Sequence, residues 1–255
     1  MTDTISFLGK ELPLYGLLFF AGIAIAGALS FIPSKKKKIP GFDWLSAVAF
    51  AMIGAIIGAK LLFIIVSIDD IIRLNLSLYS IIKGGFVFYG GLIGGILGMF
   101  AYTHMYKLPT IDYFDAAASV VPLGHAFGRV GCFFAGCCYG MPHDGKFSVV
   151  YTETAGMTPL NTPLLPIQLI EAFLLLITFA VIYTVILKYP QKRGLPTVLY
   201  IIIYSIIRFV LEFFRGDKER GGIGFLSTSQ IVSLLLLVGC ISILVYVKKK
   251  HKKIF

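Results

Sequence analysis

The chain has 255 residues, 57% of them hydrophobic and only 14% charged, with a formal net charge of +10. A soluble domain of this size carries about 25% charged and about 45–50% apolar residues, so composition excludes a disordered chain, a nucleic-acid-binding module and an ordinary cytosolic enzyme. The composition is that of an integral membrane protein.

In chain order, seven predominantly apolar stretches cover 12–32, 44–68, 86–106, 113–135, 166–187, 196–214 and 226–247. Each is close to the roughly 20 residues that cross a hydrocarbon core, and none alternates in polarity as the strands of a β-barrel do. The sequence therefore predicts an all-α fold, a polytopic membrane protein with seven transmembrane helices in one domain over 1–255. The first stretch has neither a basic segment before it nor a small-residue cleavage site, so it is expected to be retained and not to act as a signal peptide.

Orientation follows from Lys and Arg in the connecting segments. One side holds thirteen: Lys35, Lys36, Lys37, Lys38, Lys107, Lys188, Lys192, Arg193, Lys248, Lys249, Lys250, Lys252 and Lys253. The other holds seven: Lys10, Arg73, Lys83, Lys146, Arg215, Lys218 and Arg220. That asymmetry sets the N-terminus out and the C-terminus in. The two dense basic runs serve as topology signal and as attraction to anionic headgroups, and no nucleic acid is expected as a partner.

Ionisable groups inside a membrane are costly and mark function by default. Here they are Lys60 in the second stretch, Asp115, His125 and Arg129 in the fourth, Glu171 in the fifth, and Arg208 and Glu212 in the sixth. At about 1.5 Å rise per residue, all but Asp115 come to one level beneath the outer surface. Arg208, Glu212 and Arg215 share a helix face through their spacing. Buried ion pairs tying helices together are one account of such groups. For the whole cluster the positive groups outnumber the acids, which favours an anion at headgroup depth, and arginine suits a phosphate through bidentate hydrogen bonds. The run Gly84-Gly85-Phe86-Val87-Phe88-Tyr89-Gly90-Gly91-Leu92-Ile93-Gly94-Gly95 predicts close helix approach around Gly94, Gly95 and Gly98, and a broken segment around the pairs that flank Tyr89.

The run Gly124-His125-Ala126-Phe127-Gly128-Arg129-Val130-Gly131-Cys132-Phe133-Phe134-Ala135-Gly136-Cys137-Cys138-Tyr139-Gly140 resembles the signature of the phosphatidylglycerol–prolipoprotein diacylglyceryl transferases. The likeness runs from Tyr15-Gly16 through Gly90-Gly91-Leu92-Ile93-Gly94, Gln168-Leu169-Ile170-Glu171 and Arg208-Phe209-Val210-Leu211-Glu212-Phe213-Phe214-Arg215 to Ser229-Gln230. It implies transfer of the diacylglyceryl group of phosphatidylglycerol to the lipobox cysteine thiol of a preprolipoprotein signal peptide, giving a thioether and glycerol-1-phosphate. The implied setting is the bacterial plasma membrane, with the active site toward the outer leaflet and no cofactor.

The resemblance assigns phosphate binding to Arg129, stabilisation of the departing phosphate to Arg208, and orientation of Arg208 to Glu212. Tyr15 is implied as a headgroup contact and Arg215 as a rim contact; Glu171 and Lys60 are expected among the substrate-binding groups from their depth in the membrane. Asp115 matches a family acid, and its inner position points to a structural role.

Two departures from the family pattern bear on mechanism. Tyr89 stands where characterised members have a histidine, and an unperturbed tyrosine, with a pKa of about 10, is a poor base at neutral pH. His125, one helical turn before Arg129, is either the substitute base or a packing histidine. Cys132, Cys137 and Cys138 stand where characterised members carry polar residues. Three readings of them are open: disulfide-bonded or inert thiols, a metal site, or a reactive thiolate beside Arg129. The Cys-x4-Cys-Cys spacing lacks the paired Cys-x2-Cys of zinc sites, so no metal is expected. An attacking enzyme cysteine would end as a stable thioether, so a cysteine nucleophile fits only acyl transfer. Cys240 is expected to be a packing residue.

The alternative function is therefore a relative that keeps the phospholipid pocket but performs acyl or phosphoglycerol transfer to another acceptor. A lipid-binding protein or transporter is the non-enzymatic alternative, and the absence of an internal repeat speaks against it. The sequence leaves the oligomeric state open.

Overall fold

The computed structural model describes residues 4–7, 10–75, 77–153, 156–217 and 222–252. Lys218, Arg220 and Lys253, three of the charges that enter the orientation count, lie outside the described residues. The chain opens with an antiparallel ribbon, β1 (Thr4–Phe7) on β2 (Lys10–Pro13), with Thr4 opposite Pro13. The helices α1 (Leu14–Lys36), α2 (Gly41–Val66), α3 (Ile68–Arg73), α4 (Leu78–Lys83) and α5 (Phe88–Met105) follow. After α6 (Thr110–Ala118) and α7 (Val121–Phe134) comes a ribbon of β3 (Val149–Val150) and β4 (Pro163–Leu164). The chain then forms α8 (Ile167–Lys188), α9 (Leu195–Glu212), a third ribbon of β5 (Gly222–Ile223) and β6 (Leu226–Ser227), and α10 (Thr228–Lys252).

Among the described residues, α1, α2, α8 and α9 are long and apolar enough to cross a membrane. α5 is 18 residues long, with five glycines and a polar C-terminal turn that dilute its hydropathy. The described apolar part of α10 is shorter, Thr228–Ser242. The predicted fourth stretch is not one helix but two, α6 and α7, parted at Ser119 and Val120. Pro122 sits in the first turn of α7, where its missing N–H does no harm, whereas a continuous helix would need that donor. The described residues are mostly helical, as expected, and the all-α reading is corrected only by three short ribbons, one before α1 and two in connecting segments.

The chain gathers into two compact units, one of Met1–Pro33 with Asp115–Phe255 and one of Ser34–Phe114. In the smaller unit α2 packs along α5. A Cβ at Gly54 or Gly58 would strike the backbone of Gly94 or Gly90, and one at Gly98 would strike Phe50. The two helices are therefore in backbone contact, the arrangement that small residues permit inside a membrane. The expected break is also present: residues 84–87 separate α4 from α5. Breaking a helix leaves carbonyls without partners, and Lys60 of α2 supplies them. Its Nζ donates to the carbonyls of Ile81 (2.9 Å), Gly84 (3.0 Å) and Gly85 (3.3 Å) and lies over the Phe63 and Phe86 rings. Lys37, counted above as a loop charge, is instead buried and paired with Asp112 at 3.3 Å.

In the larger unit α7 packs on α8, α8 on α9, and α9 on α10. Ala126, Ala172 and Leu175 form a buried apolar contact there, with Val130 and Tyr204 against it. Gly22 of α1 fits against Phe127 and Gly124 of α7, where a Cβ would collide with Phe127. Asp115, fully buried, holds the start of α9. It accepts from the Gly194 N–H (2.7 Å), the Thr197 N–H (3.2 Å) and the Thr197 hydroxyl (2.7 Å). A carboxylate placed there meets the orphan donors and the positive end of a helix, which agrees with the structural role expected of it.

Candidate active site in the larger unit

Arg129 lies on the last turns of α7, one turn after His125, and both side chains face Glu171 of α8. Arg129 Nη2 is 3.0 Å from Glu171 Oε1, and His125 Nε2 is 4.0 Å from the same oxygen. His125 also stands edge-on to the Tyr204 ring, with centroids 5.1 Å apart. On α9, Arg208 Nη2 is 2.6 Å from Glu212 Oε2 and donates to the Ser229 hydroxyl at 2.9 Å. Ser205, Arg208 and Glu212 recur every three to four residues and so share one face. Arg215 makes a bidentate pair with Asp217, Nε to Oδ1 at 2.8 Å and Nη2 to Oδ2 at 2.7 Å, and its Nε lies 3.9 Å from Glu212.

This geometry corrects one expectation. Arg129, Arg208 and Arg215 are each matched by a carboxylate, Glu171, Glu212 and Asp217, so the described cluster carries no excess of positive charge. What it holds instead is unmet hydrogen-bonding capacity. Arg129 Nε and Arg208 Nη1 are buried donors with no hydrogen-bond partner among the described residues; Ser205 Oγ and the carboxylate oxygens Glu171 Oε1 and Glu212 Oε2 are likewise unmet. Buried polar groups are nearly always satisfied, so unpaired guanidinium donors on neighbouring helices mark a place for an acceptor-rich ligand. Both guanidinium groups lie close enough to His125 and Tyr204 to act on them electrostatically.

The other expected residues divide. Tyr15, partly exposed at 41%, rests against Gly131, where a Cβ would meet its ring at 3.0 Å. It lies within electrostatic reach of Arg129 and the three signature cysteines. Lys60 belongs to the smaller unit, and its three ammonium protons meet three carbonyls. An ammonium has three donors, so these bonds give Lys60 a structural role in the smaller unit. Tyr89 opens α5 in the same unit, 38% exposed and edge-on to Phe88.

The signature continues past α7 into a loop that folds back on the helix. The Cys137 N–H donates to the Cys132 carbonyl at 3.1 Å, and Gly136 and Cys138 take positive φ of 61° and 57°. Gln168 of α8 donates to the Cys137 carbonyl at 2.8 Å, and the Thr158 hydroxyl donates to the Gly136 carbonyl. Gly140 then bridges to Arg215, and Pro142 to Leu164, which carries Cys138 to the side of Arg215. As a result the Sγ atoms of Cys132, Cys137 and Cys138 lie within 4.8 Å of one another. None of the three is held in a disulfide, nor is the buried Cys240. The spacing that argued against a cluster is overcome by the two left-handed residues, which no count of intervening positions reveals.

Outside the apolar segments, burial of Tyr151 pushes its hydroxyl up to about 12, so it stays protonated and donates to the Phe133 carbonyl at 3.0 Å. Burial works against the charge of Arg215, but hydrogen bonds to Asp217 and Cys138 outweigh it and hold the guanidinium ionised. The sequence reading missed Tyr204, Ser205 and Asp217 as members of the site. Ser205 and Asp217 carried signals in their spacing to Arg208 and Arg215, whereas Tyr204 resembled an ordinary apolar-face aromatic.

Comparison with known proteins gives a consistent result. The model of the family described as prolipoprotein diacylglyceryl transferase matches residues 4–246. A Clostridium tetani protein named phosphatidylglycerol–prolipoprotein diacylglyceryl transferase is 36% identical over 226 residues, 88% of each chain. A Clostridium perfringens protein, named as the second transferase of that type, is 32% identical over 96% of this chain and 94% of its own. A Helicobacter pylori protein of the same name is 28% identical over 96% of this chain and 92% of its own.

Proposed function

This chain belongs to the prolipoprotein diacylglyceryl transferase family, and from that premise we propose that it moves the diacylglyceryl group of phosphatidylglycerol to the lipobox cysteine thiol of a preprolipoprotein signal peptide. The products are a thioether and glycerol-1-phosphate. In this scheme the chain crosses a bacterial plasma membrane seven times, N-terminus out and C-terminus in, and works at the outer leaflet.

The observation that carries the proposal is the pair of unmet donors, Arg129 Nε and Arg208 Nη1. The reaction is a displacement at carbon, in which negative charge gathers on the departing phosphate. Guanidinium donors fixed before the reaction stabilise that charge without reorganising. Glu171 and Glu212 hold the two guanidinium groups in place, and the acids keep the site neutral until the phosphodiester arrives. Arg129 is the principal phosphate ligand and Arg208 takes up charge as the carbon–oxygen bond breaks. Tyr15 and Arg215 flank them as headgroup and rim contacts. The thiol proton goes to His125 or to Tyr89.

The test uses purified protein in detergent with phosphatidylglycerol and a synthetic lipobox peptide. The expected result is a peptide heavier by one diacylglyceryl group, with glycerol phosphate released. Arg129→Ala should lower turnover by about a hundredfold or more, and near-normal turnover would remove Arg129 from the site. Formation of a lysolipid with an acylated acceptor would replace the proposal with acyl transfer.

A further inference from the structure

We infer that Cys132, Cys137 and Cys138 form a three-thiolate site for a thiophilic divalent ion, zinc, with the fourth position open to the sulfur of an incoming thiol. The site itself is independent of the proposed transfer; the role of its open position rests on it.

The geometry suits the ion. Zinc held at about 2.3 Å from each sulfur in a tetrahedral arrangement needs sulfur–sulfur separations of about 3.8 Å. The three Sγ atoms already lie within 4.8 Å of one another, so small side-chain rotations bring them to ligand distance. The backbone is built for the convergence. Cys132 sits in the last turn of α7, and the chain reverses through left-handed Gly136 and Cys138. A left-handed conformation is unfavourable at a residue with a Cβ, and such strain persists where the surroundings impose it, commonly at functional sites. Here the surroundings are the Gln168 bond to the Cys137 carbonyl and the bridge from Gly140 to Arg215.

Disulfide pairing accounts for the cluster poorly. Three thiols cannot all be paired among themselves, and Cys137 and Cys138 are chain neighbours, whereas a metal ion engages all three. Three thiolates and a divalent ion leave one negative charge, and Arg215 lies against Cys138 to balance it. Soft sulfur donors select zinc over magnesium or calcium. Among the described residues no fourth His, Cys, Asp or Glu joins the group. Three protein ligands with an open fourth place are the pattern of a reactive zinc site, as opposed to a structural one.

An acceptor thiol entering that place would be acidified by coordination, because a metal-bound thiol is deprotonated, and its proton would pass to the base of the proposed transfer. Its sulfur lone pair would then form the bond to the glyceryl carbon as the carbon–oxygen bond to phosphate breaks, with the electron pair leaving on the phosphate oxygen. The metal keeps its oxidation state and no oxidant is needed. Such activation would also serve a chain in which a tyrosine, Tyr89, stands where a base is expected.

The test begins with the full-length protein in detergent, reduced and stripped of metal, titrated with zinc chloride against a chromophoric chelator. Uptake of one zinc per chain is expected, with loss of that uptake in the Cys132→Ser/Cys137→Ser/Cys138→Ser variant. In the unmutated protein, zinc should protect these three thiols from alkylation, counted by mass spectrometry, so the result does not depend on the variant folding. No stoichiometric uptake, or uptake without protection of these thiols, would overturn the site. Stripping should also abolish lipid transfer and zinc restore it. Transfer indifferent to stripping, with zinc still bound stoichiometrically by the loaded protein, would overturn the role of the open position. Zinc bound with no transfer under any condition would sink the proposed reaction and leave the metal site standing.

Discussion

Removing Glu171 tests whether Arg129 is held by its carboxylate. Arg129 Nη2 and Glu171 Oε1 are 3.0 Å apart, with side chains 14% and 2% exposed. Unit charges at that distance attract by roughly 5 kcal/mol at an effective dielectric constant of about 20. Breaking a buried pair by deleting one partner typically costs about 3–5 kcal/mol, because the survivor is left uncompensated. Glu171→Ala should therefore lower the unfolding free energy by about 3–5 kcal/mol. Glu171→Gln, which keeps the shape and one acceptor, should cost about 2 kcal/mol. Unfolding in detergent followed by circular dichroism measures both. A double-mutant cycle with Arg129→Ala should return a coupling of about 2 kcal/mol or more. Transfer by Glu171→Gln should fall by about ten- to a hundredfold, the penalty for a displaced catalytic group. If Glu171→Ala unfolds with the parent and the cycle closes within about 0.5 kcal/mol, the two side chains do not hold each other and the assignment of Glu171 is wrong.

Four further outcomes are expected. Lys60→Met leaves three carbonyls without their donor, so it should destabilise the protein by roughly 2–3 kcal/mol while the Michaelis constant for phosphatidylglycerol stays unchanged; a selective rise in that constant would restore Lys60 to the substrate site. Gly94→Leu drives a side chain into the Gly54 backbone and should prevent α2 and α5 from closing, seen as loss of folded protein on size exclusion; normal yield would contradict their backbone contact. Asp115→Ala exposes the donors of Gly194 and Thr197, at a cost of about 2–4 kcal/mol, and should speed hydrogen exchange at the start of α9 before anywhere else. Comparison of Tyr89→Phe with His125→Ala identifies the group that takes the thiol proton: loss of the rate's pH dependence in only one of them assigns it, and its survival in both would exclude the pair.

The helical stretches were visible in the sequence because hydropathy over about 20 residues responds to lipid directly. The division of 113–135 was not, since Ala116, Ala117 and Ala118 continue the apolar run and only Pro122 hints at a new start. Gly94, Gly95 and Gly98 announced close packing, and the pairs around Tyr89 announced a break, yet the sequence reading did not pick out Gly54 and Gly58 as the partners, and nothing in the sequence says which side chain fills the break. Depth estimates assigned Lys60 a height but not its partners, because rise per residue gives height and no rotation around the helix. Charge counting misjudged the site for a related reason: Asp217 was left out and Glu171 and Glu212 were set against a larger number of cations, while the fold gives each arginine its own carboxylate. The cysteine cluster depended on two backbone angles, a property that residue identity leaves free.

The Asp115 clamp reaches further than the helix start it satisfies. A helix advances by about 100° per residue, so anchoring Gly194 and Thr197 sets the azimuth of every later side chain on α9, including Arg208 and Glu212. Loss or gain of a single residue anywhere between Val198 and Ile207 would keep each of these groups in the chain and swing the guanidinium by more than a quarter-turn, away from Ser229. The aim of the distal arginine is thus indexed from a carboxylate at the opposite end of the rod, and the stretch between them tolerates substitution far better than it tolerates a change of length.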